Sequence, residues 1–220
     1  MQKYFDVLRK CPLFDGIADT GLDKILHCLG ASADFYDKKF TVFAEGKPVK
    51  YIGIVLSGAV QAVQIDYYGN RSILSETGPG EMFGHAFACS GSVPASISYI
   101  ASQPSDIMLL DCGHIVHTCS HNCGFHQQMI YNLMKDMANA NIELHRRIEI
   151  TSKRSTREKL LTYLSLYAAR VGSREFEIPF DRQELADYLE VERSGLSAEI
   201  SKLRAEGVIE SNKRHFIINT

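Results

Sequence analysis

Residues 181–206 read DRQELADYLEVERSGLSAEISKLRAE, and they contain two short helical patterns. Leu185, Ala186 and Leu189 form the apolar stripe of the first, while Leu196, Ile200 and Leu203 repeat at i, i+4 and i+7 in the second. Only residues 190–192 separate them. So short a link makes two helices cross sharply, the arrangement by which a helix-turn-helix presents its second helix to the major groove of DNA. Arg193, Ser194 and Ser197 fall on the first turns of that second helix, away from its apolar stripe. Arg can fork onto guanine, and Ser can donate or accept, so these are groove-reading residue types.

Beyond the second helix come Gly207-Val-Ile209, Asn212-Lys-Arg214 and His215-Phe-Ile-Ile218, two short apolar runs about a polar turn. That pattern predicts a hairpin. A basic-tipped hairpin behind a helix-turn-helix makes a winged helix, in which Lys213 and Arg214 meet phosphate. Arg182 and Gln183, at the start of the first helix, are further phosphate candidates. The phrase Phe180-Asp-Arg-Gln-Glu-Leu-Ala-Asp-Tyr-Leu189, with Glu192-Arg-Ser194 and Leu203-Arg-Ala-Glu-Gly-Val-Ile209, resembles the carboxy-terminal DNA-binding domain of the Crp/Fnr regulators. That resemblance implies a β-roll sensor upstream.

The length of 220 residues allows one large or two modest domains, and a 45% hydrophobic content supports real cores. There is no apolar run near eighteen residues, and charges break the opening MQKYFDVLRKCPLF, so the expectation is a soluble, cytoplasmic chain without membrane partners. The formal charge of -2 is unevenly divided. Residues 151–220 hold 12 Lys+Arg against 11 Asp+Glu, so DNA affinity must come from where the charges sit and from pairing two copies. Six cysteines without an export signal point to reduced thiols.

Ahead of the β region, residues 2–10 and 20–28 are patterned as amphipathic helices, with Asp19 or Thr20 as cap of the second. Residues 33–111 then carry short Val/Ile/Phe/Tyr-rich runs at 35–43, 51–56, 60–66, 71–75, 96–101 and 107–110. Between them sit Glu45-Gly46, Ser57-Gly58, Gly69-Asn70, Gly78-Pro-Gly80 and Gly91, which supply turn conformations. The predicted class is α+β: an amino-terminal antiparallel β-roll of jelly-roll type, a long dimerisation helix and a carboxy-terminal winged helix-turn-helix. The order Glu45-Gly46, Ile54-Val-Leu-Ser-Gly58, Gly69-Asn70 and Pro79-Gly-Glu-Met-Phe-Gly84 is similar to the glycine ladder of the cyclic-nucleotide-binding roll.

A helical pattern returns over 111–122, and 125–150 is the longest helix. Within it Ile130, Leu133, Met137, Ala140 and Leu144 step by 3, 4, 3 and 4, a heptad seam that predicts a parallel two-stranded coiled coil and a homodimer. The polar, basic stretch 151–157 (TSKRSTR) is the expected hinge, followed by a helix from Glu158 and a short strand pair over 174–180. The domains are therefore drawn at 1–120, 121–150 and 151–220.

In the cyclic-nucleotide-binding members that the roll resembles, a Gly-Glu-Leu phrase holds the ribose and a later Arg-Ser pair grips the phosphate. This chain has Gly84-His85-Ala86 and Ala95-Ser96 in those places. Imidazole cannot accept two ribose hydroxyls as a carboxylate does, and alanine leaves a phosphate without its forked cation. The expected effector is therefore an unidentified small molecule other than cyclic AMP, in a pocket formed by Phe83, Gly84, His85, Ala86, Ala95, Ser96, Ile142 and Glu143. An empty pocket, with control through abundance or redox, is the alternative. Cys112, Cys119, Cys123 and His126 lie close in sequence, but their spacing matches no zinc knuckle. Neither metal nor cofactor is expected, and buried cysteines are mostly small core residues. His85, Ser96 and His114 lack catalytic spacing, so no enzyme is expected. The partners expected are duplex DNA and a second copy of the chain, and the resemblance also allows RNA polymerase. A ligand-binding sensor whose helical tail makes protein contacts is the competing reading.

Overall fold

The computed structural model describes residues 2–65, 67–68, 71–91, 93–116 and 124–219. The turn expected at Gly69-Asn70 and the candidate ligands Cys119 and Cys123 lie outside the described residues. The chain divides into two compact units, Met1–Ala138 and Asn139–Thr220.

The first unit opens with two helices, α1 (Phe5–Leu8, after a 3-10 turn at Gln2–Tyr4) and α2 (Asp19–Cys28). The cap of α2 is the extended Ala18, with no side-chain hydrogen bond, rather than Asp19 or Thr20. Asp19 instead accepts from the Arg9 guanidinium, at 3.0 and 2.5 Å, which leaves its carboxylate elsewhere engaged.

The roll follows as β1 (Ser32–Tyr36), β2 (Thr41–Phe43), β3 (Tyr51–Ser57), β4 (Val60–Ile65), β5 (Arg71–Thr77), β6 (Met82–Phe83), helix α3 (His85–Ser90), β7 (Ser98–Ala101), β8 (Ser105–Asp111) and helix α4 (Cys112–Val116). Its strands form two four-stranded antiparallel sheets, ordered β1-β8-β3-β6 and β2-β7-β4-β5. Residues from both contribute to one core: Ile52, Ile54, Ile107, Met108 and Leu110 from the first sheet, Phe43, Val60, Ala62 and Tyr99 from the second.

The run 35–43, expected as one strand, is two strands in different sheets. Asp37, Lys38 and Lys39 make the corner between them, with Lys39 at φ 73° and the Phe40 N–H bonded to the Asp37 carbonyl at 3.1 Å. Short polar residues at a corner allow the chain to leave one sheet for the other without burying unpaired backbone groups. Helix α3 is bracketed by Gly84 and Gly91, both left-handed.

Helix α5 (Gly124–Thr151) spans the division between the units. In its first half, Met129 and Leu133 join the roll's core, and the Asn132 amide donates to the carbonyls of Leu13 and Asp15 at 3.0 and 2.8 Å. The second unit continues with α6 (Thr156–Val171), β9 (Glu175–Glu177), α7 (Arg182–Leu189), α8 (Arg193–Ala205), β10 (Ile209–Asn212) and β11 (His215–Ile218). Only residues 152–155 separate α5 from α6, a shorter link than the expected hinge. Ser155 caps α6 with a capping box that Glu158 completes, so helix begins before Arg157. The segment 174–180 holds a single short strand, β9, which pairs with β11 rather than with a neighbour of its own.

Candidate functional site

Helix α7 starts where Asp181 accepts hydrogen bonds from the N–H groups of Gln183 and Glu184 at 2.8 and 2.9 Å, and the Glu184 carboxylate accepts from Asp181 N–H at 2.6 Å. These bonds satisfy orphan donors of the first turn and hold the Asp181 carboxyl below its usual range. At the other end Glu190 is left-handed, and the Lys159 ammonium of α6 donates to the carbonyls of Leu189 and Glu190 at 3.1 and 3.3 Å. The chain then turns into α8 after residues 190–192, as the spacing predicts. Leu185, Ala186, Leu189, Leu196, Ile200 and Leu203 are all buried in one core with Leu160, Leu164, Phe176, Ile209 and Phe216.

That core orients α8. With its apolar stripe turned inward, Arg193, Ser194 and Ser197 are exposed. At about 100° per residue, Ser201 and Arg204 continue the same stripe one and two turns further. Sequence reasoning missed both, although i+4 and i+7 spacing from Ser197 was the signal. The stripe borders a polar cleft lined by Arg182, Ser197, Ser201, Arg204, Asn212 and Lys213, which lie on α7, α8 and the β10–β11 wing. Burial first, and the Arg204 charge second, push the Arg182 guanidinium below its ordinary pKa, and with Lys213 three cations line this cleft.

The proposed phosphate residues differ in their freedom. Lys213 stands exposed at the wing tip in the left-handed conformation, φ 53°. Arg182 is half-buried, 5.8 Å over the Phe216 ring, and donates to the Lys213 carbonyl at 3.4 Å. Gln183 donates to Asp187 at 2.8 Å, and Arg214 lies 3.8 Å from Glu184. Exposed contacts of this kind are worth about 0–1 kcal/mol, so a phosphate can displace them.

The near-neutral charge of the domain has a local explanation. Arg157, expected in the hinge, instead reaches Glu199 and Glu206 at 3.3 and 2.5 Å. Glu199 lies on the far side of α8 from Arg193 and Ser197, about half a helical turn round. Arg157 thus offsets the charge of Glu199 and Glu206.

In the roll, Phe83 is buried in an aromatic group with Phe43 and Tyr99, ring centroids 5.4 and 5.3 Å away. A Cβ on Gly53 would stand 2.2 Å from the Phe83 ring and one on Gly84 would stand 2.7 Å from Phe43, so both glycines are required by close approach. Ala95 is buried in the core, whereas Ala86 and Ser96 are exposed. His85, at the start of α3, has Nε2 3.6 Å from the Asp136 carboxylate of α5, and its buried Nδ1 has no hydrogen-bond partner among the described residues. Burial lowers the His85 pKa, and the Asp136 charge only partly opposes this. Within the roll, Phe83 and Ala95 thus belong to the core while Ala86 and Ser96 face outward. Glu143 pairs with Arg146 at 2.5 Å, and Ile142 is exposed on α5.

The expected dimer seam also divides. Leu133 is only 4% exposed and belongs to the roll's core, so it cannot face a partner helix. Ile130 is half-buried, while Met137, Ala140 and Leu144 are exposed. Met134 (65% exposed) and Ile148 are exposed apolar side chains on the same helix. Of the soft-ligand candidates, Cys112 is buried against Cys89, Sγ to Sγ 3.1 Å, and His126 is buried; among the described residues no group of three His, Cys, Asp or Glu could hold a metal.

A β-roll joined by a long helix to a winged helix-turn-helix with an exposed, Arg-bearing second helix defines a DNA-binding regulator with a sensory domain. The model of the cyclic nucleotide-binding domain matches residues 34–122, and that of the Crp-like helix-turn-helix domain matches residues 158–220. The chain belongs to the Crp/Fnr family of transcription regulators. It is 22% identical over 199 residues to the transcriptional activator protein FnrL of Cereibacter sphaeroides, covering 83% of this chain and 75% of that one. With the electron transport regulator A of Shewanella oneidensis it shares 22% identity over 187 residues, 80% of this chain and 70% of the relative. The fold resembles that of DNR from Pseudomonas aeruginosa, TM-score 0.51 at 21% identity, covering 100% of this chain and 95% of that structure. Catabolite activator protein from Thermus thermophilus gives a TM-score of 0.50 at 21% identity, covering 94% and 93%. Among the described residues no helix is long and apolar enough to cross a membrane.

Proposed function

We propose that the protein is a cytoplasmic, homodimeric regulator that reads a two-fold DNA site and answers to an effector other than cyclic AMP. The observation that carries the reading is the exposed α8 stripe beside the basic wing cleft. Arg193 makes the main base contact, Ser194 and Ser197 make secondary ones, and Arg182, Gln183, Lys213 and Arg214 hold phosphates. Arg204 joins them from the floor of the cleft.

The exposures on α5 support a shifted dimer seam. Ile130, Met134, Met137, Asn141, Leu144 and Ile148 step by 4, 3, 4, 3 and 4 along α5, about a quarter turn from the face that Met129 and Leu133 bury. This register keeps Ile130, Met137 and Leu144 from the sequence expectation, replaces Leu133 and Ala140, and brings Ile148 into step. It also places Asn141 at a core position, where one polar residue favours a paired, in-register arrangement at some cost in stability. Two recognition helices held by such a seam are suited to half-sites about one helical turn apart.

His85 and Ala95 disfavour cyclic AMP. His85 is neutral at pH 7 and turned to Asp136, and Ala95 is core, so neither supplies a ribose-binding carboxylate or a phosphate-binding guanidinium. RNA polymerase is the partner through which such a regulator acts, and no chemistry is catalysed. Selection of duplex DNA from a random pool tests the reading. A two-fold consensus is expected; recovery of no consensus, with the tail instead retaining a protein, supports a ligand-binding sensor. Calorimetry with cyclic AMP should give no tight binding, and tight binding that depends on His85 and Ser96 overturns the effector part.

A further inference from the structure

Two thiols that the DNA-reading function does not use face each other in the sensory roll. Cys89, half-buried near the end of α3, has Sγ 3.1 Å from Sγ of Cys112, the buried first residue of α4. A disulfide needs about 2.05 Å between sulfurs, so about 1 Å of approach closes the bond, within the reach of side-chain rotation. The two cysteines are held unequally. The Cys112 N–H donates to the Lys50 carbonyl at 3.2 Å, and Asp111 beside it is fixed by the Lys50 ammonium at 2.9 Å and the Gly113 N–H at 2.8 Å. Cys89 rides on a six-residue helix with a left-handed glycine at each end, so α3 is the partner that can shift.

We propose that Cys89 and Cys112 form a peroxide-reactive dithiol that closes to an intramolecular disulfide. The more accessible sulfur, Cys89, attacks a hydroperoxide: an S–O bond forms, the O–O bond breaks, and the leaving oxygen departs as water or an alcohol after taking the thiol proton. The Cys112 sulfur then attacks the Cys89 sulfenic acid. The S–S bond forms, the S–O bond breaks, and hydroxide leaves as water with the Cys112 proton. Two thiols lose two electrons and the peroxide gains them. Burial, with Cys89 close by, pushes the Cys112 thiol up to about 12, so it stays protonated until the sulfenic acid stands beside it. The bridge has a direct route to α5. His85 lies one turn before Cys89 on α3 and touches Asp136 of α5 at 3.6 Å, so drawing α3 onto α4 acts on that contact.

The test uses the full chain, reduced, freed of reductant, treated with hydrogen peroxide and blocked with an alkylating agent. Peptide mapping without reductant should show a Cys89–Cys112 cross-link 2 Da lighter than the two thiol peptides, reversed by dithiothreitol. Cys89→Ala, at a half-exposed position, should abolish it while leaving the thermal melt of the reduced protein unchanged. Cys112→Ala should leave Cys89 as a sulfenic acid that dimedone traps. Oxidation confined to other cysteines, or Cys89 passing to sulfinic acid without a cross-link, overturns the proposal. Nuclear magnetic resonance of the His85 ring should change on oxidation of the natural protein and not of Cys89→Ala; an unmoved ring overturns the link to α5. None of these readouts involves DNA, so the outcome is separate from that of the DNA selection.

Discussion

Replacing Arg193 by Ala removes a side chain that is exposed and makes no hydrogen bond or ion pair among the described residues. Its charge only assists Asp181, whose carboxylate is held chiefly by the Glu184 N–H. Folding stability should therefore stay within about 0.5 kcal/mol of the natural protein. On DNA the loss is larger. A guanidinium forked onto one guanine supplies about 1–3 kcal/mol of discrimination. A two-fold complex loses it twice, so about 2–6 kcal/mol, or a Kd weaker by about 30-fold to about 10⁴-fold at 1.4 kcal/mol per decade. Fluorescence anisotropy on the selected duplex, and on duplexes altered at one base pair in each half-site, reads this directly. The variant should lose discrimination at one symmetric pair of positions and keep it elsewhere. A uniform loss on every sequence, with a shallower salt dependence, would show Arg193 to be a phosphate contact and would falsify the groove-reading assignment.

Met134→Glu should separate the proposed dimer, seen as a halved mass in sedimentation, with the fold retained; an unchanged mass refutes the seam. Leu133→Ala should do the converse, lowering roll stability by about 2–5 kcal/mol in denaturant while leaving association alone. Tyr163→Phe should raise the stability of the second unit by about 1 kcal/mol, because the buried Tyr163 hydroxyl has no hydrogen-bond partner among the described residues; a loss of stability would reveal one. The buried His85 has a folded pKa below its ordinary value of 6.5, so the unfolded chain binds its proton first. The roll's stability should be complete above pH 6.5 and fall as the pH drops below it, and His85→Gln should flatten that slope in pH-dependent melts.

The DNA-reading unit was legible because its signals are local. Helical periodicity identified the Leu185–Leu189 and Leu196–Leu203 stripes, and a three-residue link left little choice of crossing. What the periodicity did not convey was where Arg157 and Arg204 go. Arg157 and Arg204 are equally basic in sequence, yet one is spent on Glu199 and Glu206 and the other opens onto the wing cleft. In the roll, composition and glycine corners announced short antiparallel strands. They did not show that the run 35–43 changes sheet at Lys39, since a strand and a strand-corner-strand have the same apolar content.

Helix α5 marks the boundary between the two kinds of knowledge. The chain's own apolar spacing determined that a long helix with a heptad seam lies between a β-roll and a winged helix. Tertiary packing decided which face each residue serves: Leu133 and Met129 go to the roll's core, and Met134, Leu144 and Ile148 remain outside. The physical reason is that neighbouring heptad registers on one helix differ by a single residue, about 100° of rotation, and both are apolar. Only the surface against which the helix packs can choose between them.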